Sequence, residues 1–331
     1  MFRFKSCVFS AVYAAVFAAS AALADPAIVY SVGGKFDGSF NESAYNGVKR
    51  FAEKSGTAVR EFELDRDSQS LQALRNYASR GAEPIVAIGF NQANALGQVA
   101  PTFPETDFAI VDMVVDQPNV RSYVFKEQEG AYIAGLLAAM ATESGTIGFV
   151  GGMDIPIIRR FLCGYKQGAL AVNPDITVLF NMTGDTPAAF TDPVRGGELA
   201  IGQIQRGADV IIQAAGGTGL GVLQAAADSD VLGIGTDSNQ NGLHPGKVLT
   251  SIRKRVDNAV YDSFQSAANG TFKPGIQVLG LAEGGMDWVL DENNASLISD
   301  EMKSAADTAV ERISDGTIKV HDVVTEGACP Y

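Results

Sequence analysis

The segment AIVYSVGGKFDGSFNESAYNGVKRFAEKSG, residues 27–56, contains the signals of a strand, a glycine-rich loop and a helix in that order. Residues 27–33 form a short apolar run that ends at a glycine pair, which is typical of a buried strand. In residues 41–56, apolar side chains recur at helical spacing, at Ala44, Val48, Phe51 and Ala52. The segment therefore predicts a β-strand followed by an α-helix, the repeating unit of α/β proteins.

The same alternation continues along the chain in two series. The first series has strand patterns at 58–64, 84–90, 107–113 and 123–125, and helix patterns at 68–81, 91–100 and 129–142. The second has strand patterns at 146–150, 176–180, 209–214, 231–235 and 248–252, helix patterns near 156–172, 194–206, 219–229 and 256–268, and then a strand at 277–281 and a helix at 297–314. Strands that alternate with helices predict parallel sheets with right-handed crossovers. We therefore expect an α/β protein with two doubly wound, Rossmann-like lobes.

The length of 331 residues also favours two domains. We expect an N-terminal lobe over residues 25–143, completed by part of 270–331, and a C-terminal lobe over 144–269. Residues 270–331 would supply a crossover segment, the final helix and a tail. Because no proline- or serine-rich linker separates the two series, we expect the lobes to face each other over a cleft.

The first 24 residues have the pattern of a secretory signal peptide. Arg3 and Lys5 precede an uncharged run over residues 7–23, and Ala22-Leu23-Ala24 offers small residues at a cleavage site before Asp25. The alternative is a membrane anchor, but the run is shorter than the ~20 residues that cross a bilayer comfortably. Cys7 lies too early to be a lipidated cysteine at the cleavage point, so we expect a secreted protein without a lipid anchor.

Cleavage would leave two cysteines, Cys163 and Cys329. In an oxidising compartment two cysteines predict one disulfide, here between the tail and the helix near residue 163, and two free thiols are the alternative. Cleavage would also take the net charge from −13 to −15, because Arg3 and Lys5 are lost. So acidic a chain is a poor partner for nucleic acid or an anionic membrane. With two histidines and these cysteines far apart, we expect no metal site and no cofactor.

Polar and aromatic residues follow the predicted strands, where open parallel sheets bind their ligands. They are Asp37, Phe40 and Asn41 after the first strand, then Asn91, Asp112, Gly216, Asp237 and Lys254 after later ones. The glycines can serve tight turns and Asn41 can cap a helix. Asp112 and Asp237 close apolar strands without such a role, although a solvated carboxylate remains the alternative. Phe40 is either a plug within its own lobe or a stacking surface at the cleft.

Signals of an enzyme are weak. Residues 216–221 (GGTGLG) lie between a strand and a helix, as a dinucleotide fingerprint would, but Val222 occupies the last glycine position. The chain has no G-x-S-x-G, Walker or H-E-x-x-H motif, and His244 and His321 have no base-orienting neighbour in sequence. We assign no catalytic residue and expect no enzyme, with a secreted Rossmann-type enzyme that uses the Gly216 loop as the alternative.

Several strings of this chain, taken together and in order, resemble the BMP (basic membrane protein) or PnrA-like family of ABC-transporter substrate-binding proteins. They are DGSFNESAYNGVKRF (37–51), PIVAIGF (84–90), FAIVD (108–112), YIAGLLAAMAT (132–142), TIGFVGG (146–152), GADVIIQAAGGTGLGV (207–222), IGTDSNQ (234–240) and LTSIRKRVDNAV (249–260). The resemblance implies a type I periplasmic-binding-protein fold, whose lobes are joined by hinge crossovers and close over a ligand. It implies a purine nucleoside as ligand and a permease of the inner membrane as partner. We therefore expect a periplasmic receptor, acting as a monomer.

The resemblance also implies roles for individual residues. The purine would stack between the rings of Phe40 and Phe190. The contacts to the base edge and the ribose fall, by motif position, on Asp37, Asn41, Asp112, Asp237 and Lys254. Gly216 would let the backbone approach the ligand. Asn91 departs from the family pattern, because we expect a less polar residue there in relatives, and it would alter base selectivity. A sugar, an autoinducer or a free purine base is the alternative ligand for the same fold.

Overall fold

The computed structural model describes residues 25–331, so the predicted signal peptide lies outside the described residues. Within this range, the strands are β1 (Ala27–Tyr30), β2 (Arg60–Glu63), β3 (Ile85–Ile88), β4 (Phe108–Val111), β5 (Val120–Phe125), β6 (Thr146–Met153), β7 (Thr177–Gly184), β8 (Val210–Ala214), β9 (Leu232–Asp237), β10 (Val248–Lys254), β11 (Gly275–Leu279) and β12 (Met286–Trp288). The helices are α1 (Phe40–Ser55), α2 (Ser70–Ser79), α3 (Ala93–Val99), α4 (Glu127–Ala141), α5 (Pro156–Val172), α6 (Pro193–Ile204), α7 (Gly219–Asp228), α8 (Val256–Ala268) and α9 (Asp300–Ser314). The alternation predicted from the sequence is confirmed.

Two six-stranded sheets form the cores of two lobes. The first sheet has the order β11-β5-β4-β3-β1-β2, and the second has the order β12-β10-β9-β8-β6-β7. Every pairing is parallel except that of β12 with β10, which is antiparallel. Strands β1, β3 and β4 are buried along their whole length, because helices cover both faces of the sheet. The α/β class and the two doubly wound lobes are therefore confirmed, whereas the short strand β12 was not predicted.

The lobe boundaries differ from those predicted. Helix α4 packs against α5 and the second sheet, and a Cβ on Gly135 would lie 2.0 Å from the carbonyl oxygen of Tyr165. Helix α8 packs on α1 of the first lobe, where a Cβ on Gly47 would lie 2.5 Å from the carbonyl oxygen of Asp257. The chain thus crosses between the lobes near residues 126, 255 and 280, instead of at 143 and 269. Periodicity shows that a helix exists but does not show which sheet it covers.

The tail runs along one face of α5. The side-chain amide of Gln167 donates to the carbonyl oxygen of Lys319 at 3.0 Å, and the backbone N–H of His321 donates to the Gln167 side-chain oxygen at 2.9 Å. Further on, Cys163 and Cys329 are joined by a disulfide. The tail is therefore attached to the second lobe at several points. Among the helices of this described part of the chain, none has both the length and the apolar character to cross a membrane.

Candidate functional site

A cavity lies between the lobes, where the carboxyl ends of both sheets meet. All nine residues singled out from the sequence line it: Asp37, Phe40, Asn41, Asn91, Asp112, Phe190, Gly216, Asp237 and Lys254. The structure adds Ser31, Val32, Gly89, Phe90, Ile155, Ile157, Ile158, Phe161, Pro187, Ala214 and Thr236 to the lining. Residues from both lobes therefore surround one space with an apolar majority and a few charged groups, as small-molecule sites do.

Aromatic rings enter the cavity from both lobes. Phe40 is the first residue of α1 in the first lobe, and Phe190 lies in the turn before α6 in the second. Phe90, which sequence reasoning missed, meets Phe190 with ring centroids 6.4 Å apart and planes inclined by 64°. Phe190 lies so close to Gly152 that a Cβ there would be 2.2 Å from its Cε1 atom. The Phe190 ring can occupy this position because Gly152 has no side chain.

Two of the cavity carboxylates are held by strained backbone. Asp112, directly after β4, has φ +73°, and Asp237, the last residue of β9, has φ +68°. Aspartate tolerates this left-handed region better than most residues, but the conformation still costs energy. Burial raises the pKa of both carboxyls, and the charge of Lys254 opposes that rise without cancelling it. Strain together with burial at two facing strand ends is typical of a functional site.

Lys254, the last residue of β10, is the cation of this cavity. Its Nζ atom lies 2.6 Å from Oδ1 of Asp112 and 2.9 Å from Oε1 of Glu127. Burial lowers the pKa of Lys254, but the charges of Asp112, Glu127 and Asp237 outweigh this effect, so its pKa lies above the ordinary value. The ammonium therefore stays charged. Glu127 was missed because an acid at the start of a helix is indistinguishable, in sequence, from one that favours the helix dipole.

Three of the residues predicted to contact the ligand have side chains that form hydrogen bonds within the protein. The carboxylate of Asp37 accepts from the backbone N–H groups of Ser39, Asn41 and Glu42 at 2.8–3.1 Å, so Asp37 caps α1. The Asn41 side chain binds the backbone after β1: its Oδ1 accepts from the N–H of Ser31 at 3.0 Å. The Asn91 amide donates to Asp67 at 2.6 Å and accepts from the Ser31 hydroxyl at 3.2 Å. These three residues shape the cavity wall, and the capping role falls to Asp37 instead of Asn41.

The two lobes are in contact across the cavity. The hydroxyl of Ser39 donates to Oδ2 of Asp237 at 2.7 Å, and the hydroxyl of Ser238 donates to the carbonyl oxygen of Ser39 at 2.7 Å. The side-chain amide of Gln240 donates to the carbonyl oxygen of Gly38 at 2.8 Å. These bonds join the loop before α1 to the loop after β9, so the two lobes are closed against each other beside the cavity.

The glycines of the Gly216 loop have packing roles. A Cβ on Gly221 would lie 1.8 Å from the carbonyl oxygen of Pro193, and one on Gly219 would lie 2.1 Å from the Gln213 side chain. The space beside these two glycines is therefore filled by the start of α6 and by the Gln213 side chain of β8. No His or Cys occurs among the cavity-lining residues, and residues 25–331 hold no group of three or more His, Cys, Asp or Glu side chains suited to a metal ion.

Comparison with known proteins agrees with this architecture. Residues 26–322 match the family model Bmp, described as "ABC transporter substrate-binding protein PnrA-like". The chain is 35% identical over 317 residues to the "ABC transporter nucleoside-binding protein BmpA" of Lactococcus lactis, with 89% of this chain and 88% of that protein covered. It superimposes on a solute-binding protein of an ABC transporter system from Aeropyrum pernix with a TM-score of 0.82, at 29% identity, with 90% of this chain and 93% of that chain covered.

A third relative bears on the expected mode of export. A Pyrococcus horikoshii protein, 35% identical over 283 residues that cover 80% of this chain and 69% of that protein, is named an uncharacterized lipoprotein. That name conflicts with the expectation, drawn from the position of Cys7, that this chain carries no lipid anchor.

Proposed function

This chain belongs to the Bmp family of PnrA-like ABC transporter substrate-binding proteins, and we propose that it binds a purine nucleoside between its lobes and delivers it to a membrane permease. Its relatives are substrate-binding proteins, not enzymes. The observation that carries the ligand proposal is the pairing, in one cavity, of Phe40 and Phe190 from opposite lobes with the carboxylates of Asp112 and Asp237. The name of the Lactococcus lactis relative, a nucleoside-binding protein, supports the same class of ligand.

Each part of a nucleoside meets a suitable group in this cavity. The base offers flat faces to aromatic rings, and stacking of a base on an aromatic side chain is worth ~1–3 kcal/mol in nucleic-acid-binding proteins. The ribose offers hydroxyl donors to a carboxylate, and the bond from Ser39 engages one of the two oxygens of Asp237. Lys254 donates to an acceptor oxygen of the ligand. In this account Phe40 and Phe190 hold the base, and Asp237 with Lys254 holds the sugar.

The charge of the cavity disfavours phosphorylated ligands. Asp37, Asp112 and Asp237 line it together with the single cation Lys254, and Glu127 lies directly behind that cation. A phosphate would enter a site that already has an excess of negative charge and no arginine among its lining residues. We therefore propose an uncharged nucleoside as ligand and expect the corresponding monophosphate to be rejected.

Isothermal titration calorimetry tests the proposal on protein unfolded, dialysed and refolded to remove bound ligand. Adenosine, guanosine and inosine are the test ligands. Uridine, adenine, ribose and AMP are matched controls that change the base, remove the sugar, remove the base or add a phosphate. We expect heat and saturation with at least one purine nucleoside and much weaker binding of every control. Absence of heat with all three nucleosides, or tighter binding of ribose or adenine, would overturn the ligand assignment.

We propose further that residues 1–24 direct export and are removed, so that a monomer acts in the periplasm. The positive charges of Arg3 and Lys5 and the small residues of the Ala22-Leu23-Ala24 cleavage site support this proposal. Cell fractionation, with the intact mass of the protein recovered from the periplasm, tests it. A mass that begins at Asp25 supports the cleavage site, and an added lipid or a retained leader contradicts it. Light scattering on the same sample reports whether the protein is monomeric.

A further inference from the structure

We propose that Arg160 is a positioning residue of the ligand site: it holds Glu127 in place and, through Glu127, the ammonium group of Lys254. The inference rests on the proposed function, because the placement of Lys254 matters for affinity if the cavity is the binding site. Arg160 does not line the cavity. Its influence would run through a row of alternating charges from the tail to the ligand.

The inner end of this row lies where the chain passes between the lobes. Lys254 ends β10 in the second sheet, Asp112 follows β4 in the first sheet, and Glu127 begins α4 directly after a crossover. The ammonium is 2.6 Å from Asp112 and 2.9 Å from Glu127, and the Glu127 side chain is only 1% exposed. The Lys254 ammonium is therefore held between two carboxylates at the junction of the lobes.

The carboxylates at this junction outnumber the single ammonium of Lys254, so a second cation nearby would stabilise them. The charges of Asp112, Glu127 and Asp237 all act on the one ammonium of Lys254, and burial raises the pKa of all three carboxyls. A buried carboxylate without enough opposite charge is unstable as an ion. Nη1 of Arg160 lies 3.5 Å from Oε2 of Glu127, whereas Lys254 meets the other oxygen, Oε1. The charge of Arg160 thus opposes the rise that burial causes in the pKa of Glu127, and the other carboxylate oxygen of Glu127 meets Lys254.

The Arg160 side chain is held in place by hydrogen bonds to Asp322 and to the backbone of Phe125. Its Nε and Nη2 atoms donate to the two oxygens of Asp322 at 2.7 and 3.0 Å, and Nη1 donates to the carbonyl oxygen of Phe125 at 3.3 Å. Asp322 belongs to the tail, whose end is tied by Cys329 to the same helix that carries Arg160. A paired, bidentate guanidinium has a defined direction that a single point charge lacks. The tail is thereby linked to the binding site through Arg160.

The first test compares three variants by calorimetry with the tightest-binding purine nucleoside. Arg160→Met keeps the aliphatic stem and removes the charge, and Arg160→Lys keeps the charge. Arg159→Met is the matched control on the neighbouring residue, whose side chain is 59% exposed and pairs with Asp154. We expect the Kd to rise roughly tenfold in Arg160→Met. At metal sites, loss of a residue that orients a ligand side chain weakens binding by about 10- to 100-fold. We expect partial recovery in Arg160→Lys and no change in Arg159→Met.

The second test needs no ligand. In protein labelled with ¹⁵N-lysine, the buried ammonium of Lys254 is identified as the NMR signal lost in Lys254→Arg. We expect Arg160→Met to shift this signal and Arg159→Met to leave it in place. If Arg160→Met does not fold, the isosteric Asp322→Asn releases Arg160 more gently and should move the signal and the affinity in the same direction.

The outcomes separate the two proposals. A shifted signal in a protein that binds no nucleoside would refute the proposed function and leave the positioning of Lys254 by Arg160 intact. Nucleoside binding by the native protein with unchanged affinity in Arg160→Met would overturn the role of Arg160 alone. Weaker binding without a shifted signal would also overturn it, because the effect would then not pass through Lys254.

Discussion

Substitution of Gly152 by alanine perturbs the proposed stacking site without removing any group from it. The added Cβ would lie 2.2, 2.6 and 2.7 Å from the Cε1, Cδ1 and Cζ atoms of Phe190. Carbon atoms pack at about 3.5–4.0 Å, so the ring must move by more than roughly 1 Å. Phe190 lines the cavity and meets Phe90, so a displaced ring no longer lies flat on a base bound in the present geometry.

The size of the effect follows from the stacking energy. Loss of one stacked face is worth ~1–3 kcal/mol, which corresponds to about a 5- to 150-fold rise in Kd. Calorimetry at a temperature well below unfolding measures it, because overpacking itself lowers the free energy of unfolding by about 1–3 kcal/mol. Gly202→Ala in the same lobe is the control, since its Cβ would meet nothing within 4 Å.

A double-mutant cycle shows whether the effect passes through Phe190. Once Phe190→Ala has removed the ring, we expect Gly152→Ala to cost little further affinity. An equal loss in both backgrounds would refute the reasoning, because the added methyl group would then weaken binding by a route independent of the ring. Unchanged affinity in Gly152→Ala alone would remove Phe190 from the ligand site.

Three further predictions concern the other wall of the cavity, a helix cap and the tail. Phe40→Ala should weaken nucleoside binding by ~1–3 kcal/mol in calorimetry, whereas Phe36→Ala, at a ring that is 69% exposed, should leave it unchanged. Asp37→Ala removes the acceptor of three backbone N–H groups and should lower the free energy of unfolding by about 1 kcal/mol in a urea titration, and an unaltered midpoint would contradict the cap. Loss of the disulfide in Cys329→Ser, which opens a loop spanning 166 residues, should lower stability by about 2–4 kcal/mol, and equal melting temperatures with and without reductant would contradict its contribution.

The fold was predictable from the sequence to the level of its elements. Apolar runs and helical spacing place the strands and helices, because these patterns record which faces are buried. They do not record which lobe a helix joins: α4 is apolar nearly all round, so its pattern fits either sheet. Strand β12 escaped prediction because it has three residues and a charged centre, Asp287. The lobe boundaries near residues 126 and 255 therefore needed the structure.

The residues of the candidate site that lie at strand ends could be predicted from the sequence. Those that reach the site through contacts between distant parts of the chain could not. The rule that parallel strands gather their carboxyl ends brings Asp112, Asp237 and Lys254 to one cavity. The resemblance to the family added Phe190, which no pattern singled out. Glu127 was beyond reach, because its partner Lys254 is distant in sequence and a helix-initiating acid has an ordinary explanation. The same holds for Ser39, whose hydroxyl bonds to Asp237 across the cleft instead of capping α1.

Nucleoside binding in the cell is tested by native mass spectrometry of the protein purified without added ligand, followed by identification of the released small molecule. A receptor that closes over its ligand retains part of it through gentle purification. We expect a mass increment equal to one purine nucleoside, which is lost on unfolding and identified by chromatography against adenosine, guanosine and inosine. A bound sugar, purine base, nucleotide or other small molecule in its place would overturn the assignment of a purine nucleoside as ligand.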